Sequence, residues 1–487
     1  MKKYSNVQDK KGYTALLRRL ALILVIGYVA AVVLFYFLAG EQLHLRQSRG
    51  NTELPTADSG TVELVAESVV EQRFTTEIQR LERIGIQWGT YYRPNVGTVL
   101  AELVDLRSEA VLLSQSFDVA GIQEGGLTTL TAETPLEGLY QTPLLLRITA
   151  DSQPGSAASP LMNTQGQEEG WELSLNGAPT HGMLCFSLSG TDYIWTGLHY
   201  WQFAAAGLIL ILLFIAAVWL RVRSGKHSYV VNAVIAVQKY RFLIRQLVAR
   251  DFRTKYKRSV LGMFWSFLNP LLMMLVQYFV FSTIFKSDVP NFAAYLIIGT
   301  VMFNFFNEAC GMALGSIVGN ASLITKVYMP KYIYPLTRVM SSVVNLVISL
   351  IPLLIVCVIT RVEFHKSAVL VLFFLTCLTV FSLGLGLLLS ASMVFFRDTQ
   401  FLWGVLSMMW MYATPIFYPE TILPEEFKFV LQINPLYHFL KNARLCILDG
   451  ISPEPIVYVQ CLIMALVALF VGALVFRKAQ DRFVLYL

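Results

Sequence analysis

The feature that most constrains this chain is a recurrence of apolar runs, free or nearly free of charge and each long enough to cross a lipid bilayer. They fall near Leu20–Ala39, Trp201–Leu220, Phe264–Phe285, Phe292–Val318, Val339–Thr360, Ser367–Phe395, Phe401–Phe417 and Ile456–Phe476. Inside hydrocarbon, backbone amides and carbonyls find no water, so such runs fold as helices that bond internally. Hydrophobic residues make up 55% of the chain and charged residues 14%, with a mean hydropathy of +0.56. That balance excludes an ordinary soluble domain and predicts a polytopic helical membrane protein with about eight transmembrane helices.

The net charge of +6 conceals an asymmetry. Between Glu41 and Tyr200 there are 20 acidic residues, eight Arg and no Lys, a net of −12, which leaves +18 for the remainder. The basic residues gather in Met1–Arg19, in Arg221–Arg258 and in a tail containing Arg477, Lys478 and Arg482. Positive flanks of spans stay in the cytoplasm. Both termini are therefore expected inside, the acidic block outside, and the number of spans even. Because these cations flank spans rather than cover a soluble face, a nucleic-acid surface is a poor reading of them. No small-residue cleavage pattern follows the first run before Glu41, so it reads as an uncleaved anchor. Only Cys185 of the six cysteines lies in the acidic block, which rules out a disulfide within it, and the other five show no metal-ligand spacing.

The expected order is a cytoplasmic N-terminus (1–19), an anchor (20–39), an extracytoplasmic β-rich domain (40–200) and a second span (201–220). A cytoplasmic linker with an amphipathic helix (221–263) and a six-span domain (264–487) complete it. In the β-rich block, Val62 and Leu64 alternate with polar neighbours, as do Trp171, Leu173 and Leu175. Asn176-Gly177 suits a hairpin turn, Asp151–Gly170 reads as a loop between strands, and Val69–Ile84 as one short helix. A single antiparallel sandwich accommodates these pieces. Trp88, Tyr91, Tyr92 and Trp171 either stack on sugar rings or fill the sandwich core.

Residues Leu247–Pro270 set five cations and one acid, Asp251, against the start of an apolar run. Just before, Tyr240, Leu243, Ile244, Leu247 and Val248 fall on one helical stripe, with Arg241, Arg245 and Arg250 off it. This predicts an interfacial helix with cations toward water and headgroups, and Asp251 paired with a neighbouring Arg. Three blocks carry a resemblance: LVARDFRTKYKRSVLGMFWSFLNPLL, then GNASLITKVYMPKYIYPL (Gly319–Leu336), then FFRDTQFLWGVLSMMWMYATPIFYP (Phe395–Pro419) with INPLYHFLKNARLCILDG (Ile433–Gly450). In order and spacing, residues 238–487 resemble the permease of ABC-2 type exporters, in the branch that exports O-antigen, teichoic acid and capsule polysaccharides.

That resemblance implies a homodimer working with a separate ATPase, which alone would bind ATP and Mg; this chain itself is expected to hold no cofactor and no metal. It implies a coupling helix over Ser322, Leu323, Ile324, Thr325, Lys326 and Val327. It also implies a gate helix whose Arg250, Asp251, Arg253, Lys255, Lys257 and Arg258 meet a lipid-linked glycan or anionic headgroups. Pro415, Pro419 and Pro424 interrupt the third block, as re-entrant helices at an outer gate would require. Trp265, Phe303, Phe306, Trp403, Trp410 and Tyr412 are expected to border a glycan path or pack the spans. Glu308, with Asn304 and Asn307, is the acidic residue deep in a span, where a charge must face protein or water.

The chain has no phosphate-cradling G-x-x-x-x-G-K-[ST] loop: Ser224-Gly225-Lys226-His227 lacks the first Gly and the hydroxyl residue. No nucleophile–base arrangement or paired-carboxylate signature is present either, so a transport subunit is expected rather than an enzyme. Permeases of this branch start shortly before the gate helix. The preceding 220 residues are thus an addition, expected to be separable from the six-span domain. The leading expectation is export of an undecaprenyl-linked polysaccharide across the bacterial cytoplasmic membrane. The alternatives are an exporter of a drug, peptide or lipid, and a membrane-anchored envelope sensor or scaffold.

Overall fold

The computed structural model describes residues 7–50, 56–166, 170–224, 229–255, 261–262, 264–284, 290–326 and 329–486. The chain divides into two compact units, His44–Leu198 and the remainder.

The His44–Leu198 unit is built from two antiparallel sheets. The first runs in the order Leu45–Gly50, Phe186–Tyr193, Arg80–Gly89, Ser159–Asn163, Met183–Leu184, with Ser59–Gly60 and Leu127–Glu137 paired at its sides. The second runs Ala178–Thr180, Glu172–Leu175, Val69–Phe74, Leu144–Ala150, Thr98–Asp105, Ala110–Asp118. Alternate residues of both, among them Phe74, Ile84, Trp88, Val99, Leu103, Leu146 and Phe186, form one buried core, as period-two side-chain alternation dictates. Asn176 and Gly177 take φ of 52° and 77° and join Leu175 to Ala178 in a two-residue hairpin.

Two local expectations are corrected. Val69–Ile84 is not a helix but two strands, Val69–Phe74 and Arg80–Gly89. Val70, Phe74, Ile78 and Leu81 are all buried and their spacing imitates a helical stripe. The intervening Gln72 and Thr76 are buried as well, which hides the true alternation. Gln72 stays satisfied there by accepting from the Leu184 amide at 3.0 Å. Within the supposed loop Asp151–Gly170, Ser159–Asn163 is a strand of the first sheet, pairing Pro160 with Trp88.

The other unit is helical. Its elements are α1 (Val7–Ala39), α3 (Tyr200–Arg223), α4 (Tyr229–Lys239), α5 (Arg241–Lys255), α6 (Phe264–Tyr278), α7 (Phe292–Leu314), α8 (Ala321–Lys326) and α9 (Ile333–Ile359). α10 (Val371–Phe395), α11 (Thr399–Tyr412), α12 (Glu425–Ile433), α13 (Pro435–Leu448), α14 (Pro455–Ala479) and α15 (Phe483–Tyr486) follow; α2 (Trp195–Leu198) closes the sandwich unit. Among the described residues, seven helical segments are long and apolar enough to cross a membrane. The expected span Phe401–Phe417 is not one of them. α11 has 14 residues, about 21 Å of helix against a hydrocarbon core of about 30 Å.

After α11 the chain bends through Pro415 and Pro419 and continues as α12 and α13 to Gly450, which lies against His365, so that α11 to α13 together carry the chain from the Phe395 end of α10 to its opposite end. A buried Arg444 holds this bend from α13. Its guanidinium donates to the carbonyls of Tyr295 at 3.0 Å, Pro415 at 2.6 Å and Ile416 at 2.8 Å. Asn434 caps α13 and accepts from the Trp410 indole at 2.8 Å. Irregular backbone is thereby satisfied by protein rather than water.

The tightest helix contact is between α10 and α14. A Cβ on Gly472 would lie 1.9 Å from the Gly384 carbonyl oxygen, so neither position accepts a larger residue without the backbones parting. The anchor helix α1 joins this bundle. It pairs with α3 through Tyr200 donating to the Val32 carbonyl at 2.8 Å. Phe35 meets the Tyr458 ring edge-on at 4.7 Å, and Gln42 accepts from the Ser452 amide at 2.7 Å. The first span is therefore packed on the bundle rather than loosely appended to it.

Candidate functional site: a polar cavity tied to a buried ion pair

The stripe on α5 behaves differently from an interfacial helix. Tyr240, Leu243 and Ile244 pack on a protein cluster of Ile317, Met329, Ile333, Tyr334, Leu387, Phe476 and Phe483. Arg241, Arg245 and Arg253 are exposed. The apolar face is covered by the bundle and the cations point away from it.

Asp251 sits on the covered face with its side chain 4% exposed. Arg338, near the start of α9, reaches it at 2.9 Å, and Arg250 at 3.4 Å. The second carboxylate oxygen of Asp251 is buried and makes no hydrogen bond. Arg250 also donates to the Asn320 side chain at 3.4 Å, and Asn320 donates to the Ser316 carbonyl at 2.7 Å. Asn320 immediately precedes α8. One charge network thus spans α5, the root of α9 and the start of the short helix over 321–326.

On α8 itself, Ser322 and Leu323 are exposed and Ile324 packs inward on the same cluster as α5. Thr325 and Lys326 complete the helix, while Val327 lies outside the described residues. Lys331, just beyond, donates to the Gln480 carbonyl at 2.5 Å and stands 5.6 Å from the Phe483 ring centre. Desolvation there pulls its pKa below the ordinary lysine value.

At the far end of α5, Lys255 pairs with Glu308 of α7 at 2.8 Å, and Asn345 of α9 donates to the same carboxylate oxygen at 2.6 Å. These three side chains line a cavity of about 300 Å³. α6 contributes Trp265, Ser266, Asn269 and Pro270; α7 adds Asn304 and Phe305; α9 adds Ser349. Pro270 lies inside α6 and deprives that helix of one backbone hydrogen bond where it borders the cavity. The lining combines amide and hydroxyl groups, one ion pair and two aromatic rings, so it suits a polar ligand with apolar faces rather than a hydrocarbon tail.

Of the residues singled out in the sequence, Lys255, Trp265, Asn304 and Glu308 meet at this cavity. Phe303, Phe306, Trp403 and Trp410 do not line it. Phe306 lies 5.9 Å from Trp403, 5.3 Å from Trp410 and 6.0 Å from Phe303, in a cluster packing α7 against α10 and α11. Tyr412 and Asn307 are exposed, and Lys257 and Arg258 lie outside the described residues. Sequence reasoning passed over Asn269, Asn320, Arg338, Asn345, Ser349 and Arg444. Arg338 carried a usable signal, since it is a lone cation in a mostly apolar stretch and must find a partner.

Residues 243–448 match the ABC-2 type transporter family. The chain is 28% identical over 257 residues to the O-antigen export system permease protein RfbA of Myxococcus xanthus, covering 52% of this chain and 98% of that protein. It is also 28% identical to an O-antigen export system permease protein RfbA of Klebsiella pneumoniae, over 50% of this chain and 93% of that one. Identity to the polysialic acid transport protein KpsM of Escherichia coli is 23%, over 49% and 93% of the two chains. The match to the ABC-2 type transporter family lies within the helical part of this chain. The α5 ion-pair network and the cavity lie within the matched residues, and the His44–Leu198 sandwich lies outside them.

Proposed function

We propose that the chain is the permease subunit of an ABC exporter that moves a lipid-linked polysaccharide across the cytoplasmic membrane. A separate ATPase powers it, and the chain works as a homodimer with both termini in the cytoplasm. The observation that carries this reading is the continuity of the site. α8, on the ATPase side, adjoins Asn320; Asn320 contacts Arg250; Arg250 and Arg338 hold Asp251; and the same helix α5 ends with Lys255 at the polar cavity. A push on α8 therefore reaches the cavity mouth through one rigid helix.

In this mechanism the exposed α5 cations gather anionic lipid headgroups at the membrane surface. Lys255 then exchanges the Glu308 carboxylate for the anionic linkage of the substrate, a charge-assisted contact of comparable geometry. The amides of Asn269, Asn304 and Asn345 meet sugar hydroxyls, and Trp265 offers a ring face. The relatives named for O-antigen and polysialic acid transport support the cargo class. Co-purification from detergent, with identification of the bound ATPase and glycan, tests the reading. Recovery of neither, from cells that make a surface polysaccharide, overturns it.

A further inference from the structure

The loop after strand Arg80–Gly89 holds two adjacent tyrosines in an unusual state. Tyr91 and Tyr92 both have left-handed backbone, with φ of 56° and 54°. Bulky L residues stay in that region only where the surroundings over-determine it, and such places concentrate at ligand sites. Here the surroundings do so. The Glu124 carboxylate accepts from the Thr90 amide at 2.6 Å, the Thr90 hydroxyl at 2.7 Å and the Tyr92 amide at 3.4 Å. Asn95 donates to the Thr90 carbonyl at 3.0 Å. Arg93 bonds Glu63 at 2.5 Å and lies 4.9 Å from the Tyr91 ring centre.

This bracing presents rings to solvent instead of burying them. Tyr91 is 47% exposed and Tyr92 90%, whereas Trp88, three residues before Tyr91, is fully buried in the core. The fold gains no core packing from the Tyr92 ring. We propose that Tyr91 and Tyr92 form a carbohydrate-binding platform that stacks on successive sugar rings, with the half-exposed Arg93–Glu63 pair bonding hydroxyls at its edge. Aromatic faces are electron-rich and match the polarised C–H face of a pyranose. The net charge of −12 over Glu41–Tyr200 repels nucleic acid and other polyanions and favours a neutral or weakly charged glycan. The transport reading contributes only the identity of the glycan, namely the exported polymer.

The test uses the full-length chain in lipid nanodiscs, titrated with the polysaccharide released from the host envelope and stripped of lipid. Saturable binding is expected, weakened about tenfold by Tyr92→Ala and Tyr92→Gly and kept by Tyr92→Phe. Glycine tolerates the left-handed backbone, so Tyr92→Gly removes the ring while leaving thermal stability equal or higher. Absence of binding by the wild type up to about 10 mM, or unchanged binding by Tyr92→Gly, overturns the platform. Export by the same cells separates the two readings. Export without binding removes the platform and leaves the permease; binding without ATPase-coupled export does the reverse.

Discussion

Replacing Arg338 with Leu tests the buried ion pair that joins α5 to α9. Removing one partner of a buried pair leaves an uncompensated charge and costs about 3–5 kcal/mol. Two features of this site reduce that figure. Arg338 is 24% exposed, and Arg250 remains 3.4 Å from the stranded Asp251. A cost of about 2–3 kcal/mol follows, or roughly 3–4 °C in melting temperature for a unit of this size. The double variant Asp251→Leu/Arg338→Leu strands no charge and should melt within about 1 kcal/mol of the wild type. Thermal unfolding of the wild type, Asp251→Leu, Arg338→Leu and the double variant in one detergent completes the cycle. The double variant should still bind its ATPase but export little, because the link between α5 and α9 is gone. If Arg338→Leu costs no more than the double substitution, the pair is not a structural tie and the transmission route through it fails.

Further perturbations test the framework around the site. Gly472→Ala places a methyl 1.9 Å from the Gly384 carbonyl oxygen and should destabilise by about 1–3 kcal/mol. The sign is diagnostic, since Gly→Ala inside an uncrowded helix stabilises by about 1 kcal/mol, and a higher melting temperature would refute the close α10–α14 approach. Arg444→Met leaves the Pro415 and Ile416 carbonyls without their buried donor and should cost about 3 kcal/mol or more, read as loss of monodisperse protein in detergent. Bonds from Thr90 and Tyr92 hold the Glu124 carboxyl below the usual carboxylate range. The stability that Glu124 lends its loop is therefore complete above the unfolded pKa of about 4.3 and is lost as pH falls through the folded value. Amide protection factors at Tyr91–Arg93, corrected for the intrinsic pH dependence of exchange, should fall on acidification in the wild type and be low at all pH values in Glu124→Gln. An identical acid response in both proteins would sink that assignment.

Much of the membrane architecture was legible because hydrocarbon imposes one rule on every span, and the helix α5 because its charges flank an apolar stripe. The span Phe401–Phe417 was legible in composition but not in form: its helix stops after 14 residues, Pro415 and the Arg444 donors bend the chain, and α12 and α13 carry it on to Gly450 beside His365, at the opposite end of α10 from α11. In the sandwich, buried Gln72 and Thr76 disguised a strand as a helix. The aromatic residues divided in a way composition does not encode: Trp88 went to the core while Tyr91 and Tyr92 went to solvent. The cavity was half legible. Glu308 stands out as a charge in a span, but Asn269, Asn345 and Ser349 are ordinary residues until α6, α7 and α9 bring them together.

ATP-dependent movement of a lipid-linked polysaccharide in vesicles containing this chain and its co-purified ATPase tests the central claim most directly. The wild type should carry the polymer to the opposite face with ATP and not without it. Leu323→Asp, on the exposed face of α8, should insert normally and abolish both transport and the stimulation of ATP hydrolysis. Transport unaffected by that substitution, or no ATP-dependent transport by the wild type, would contradict the account.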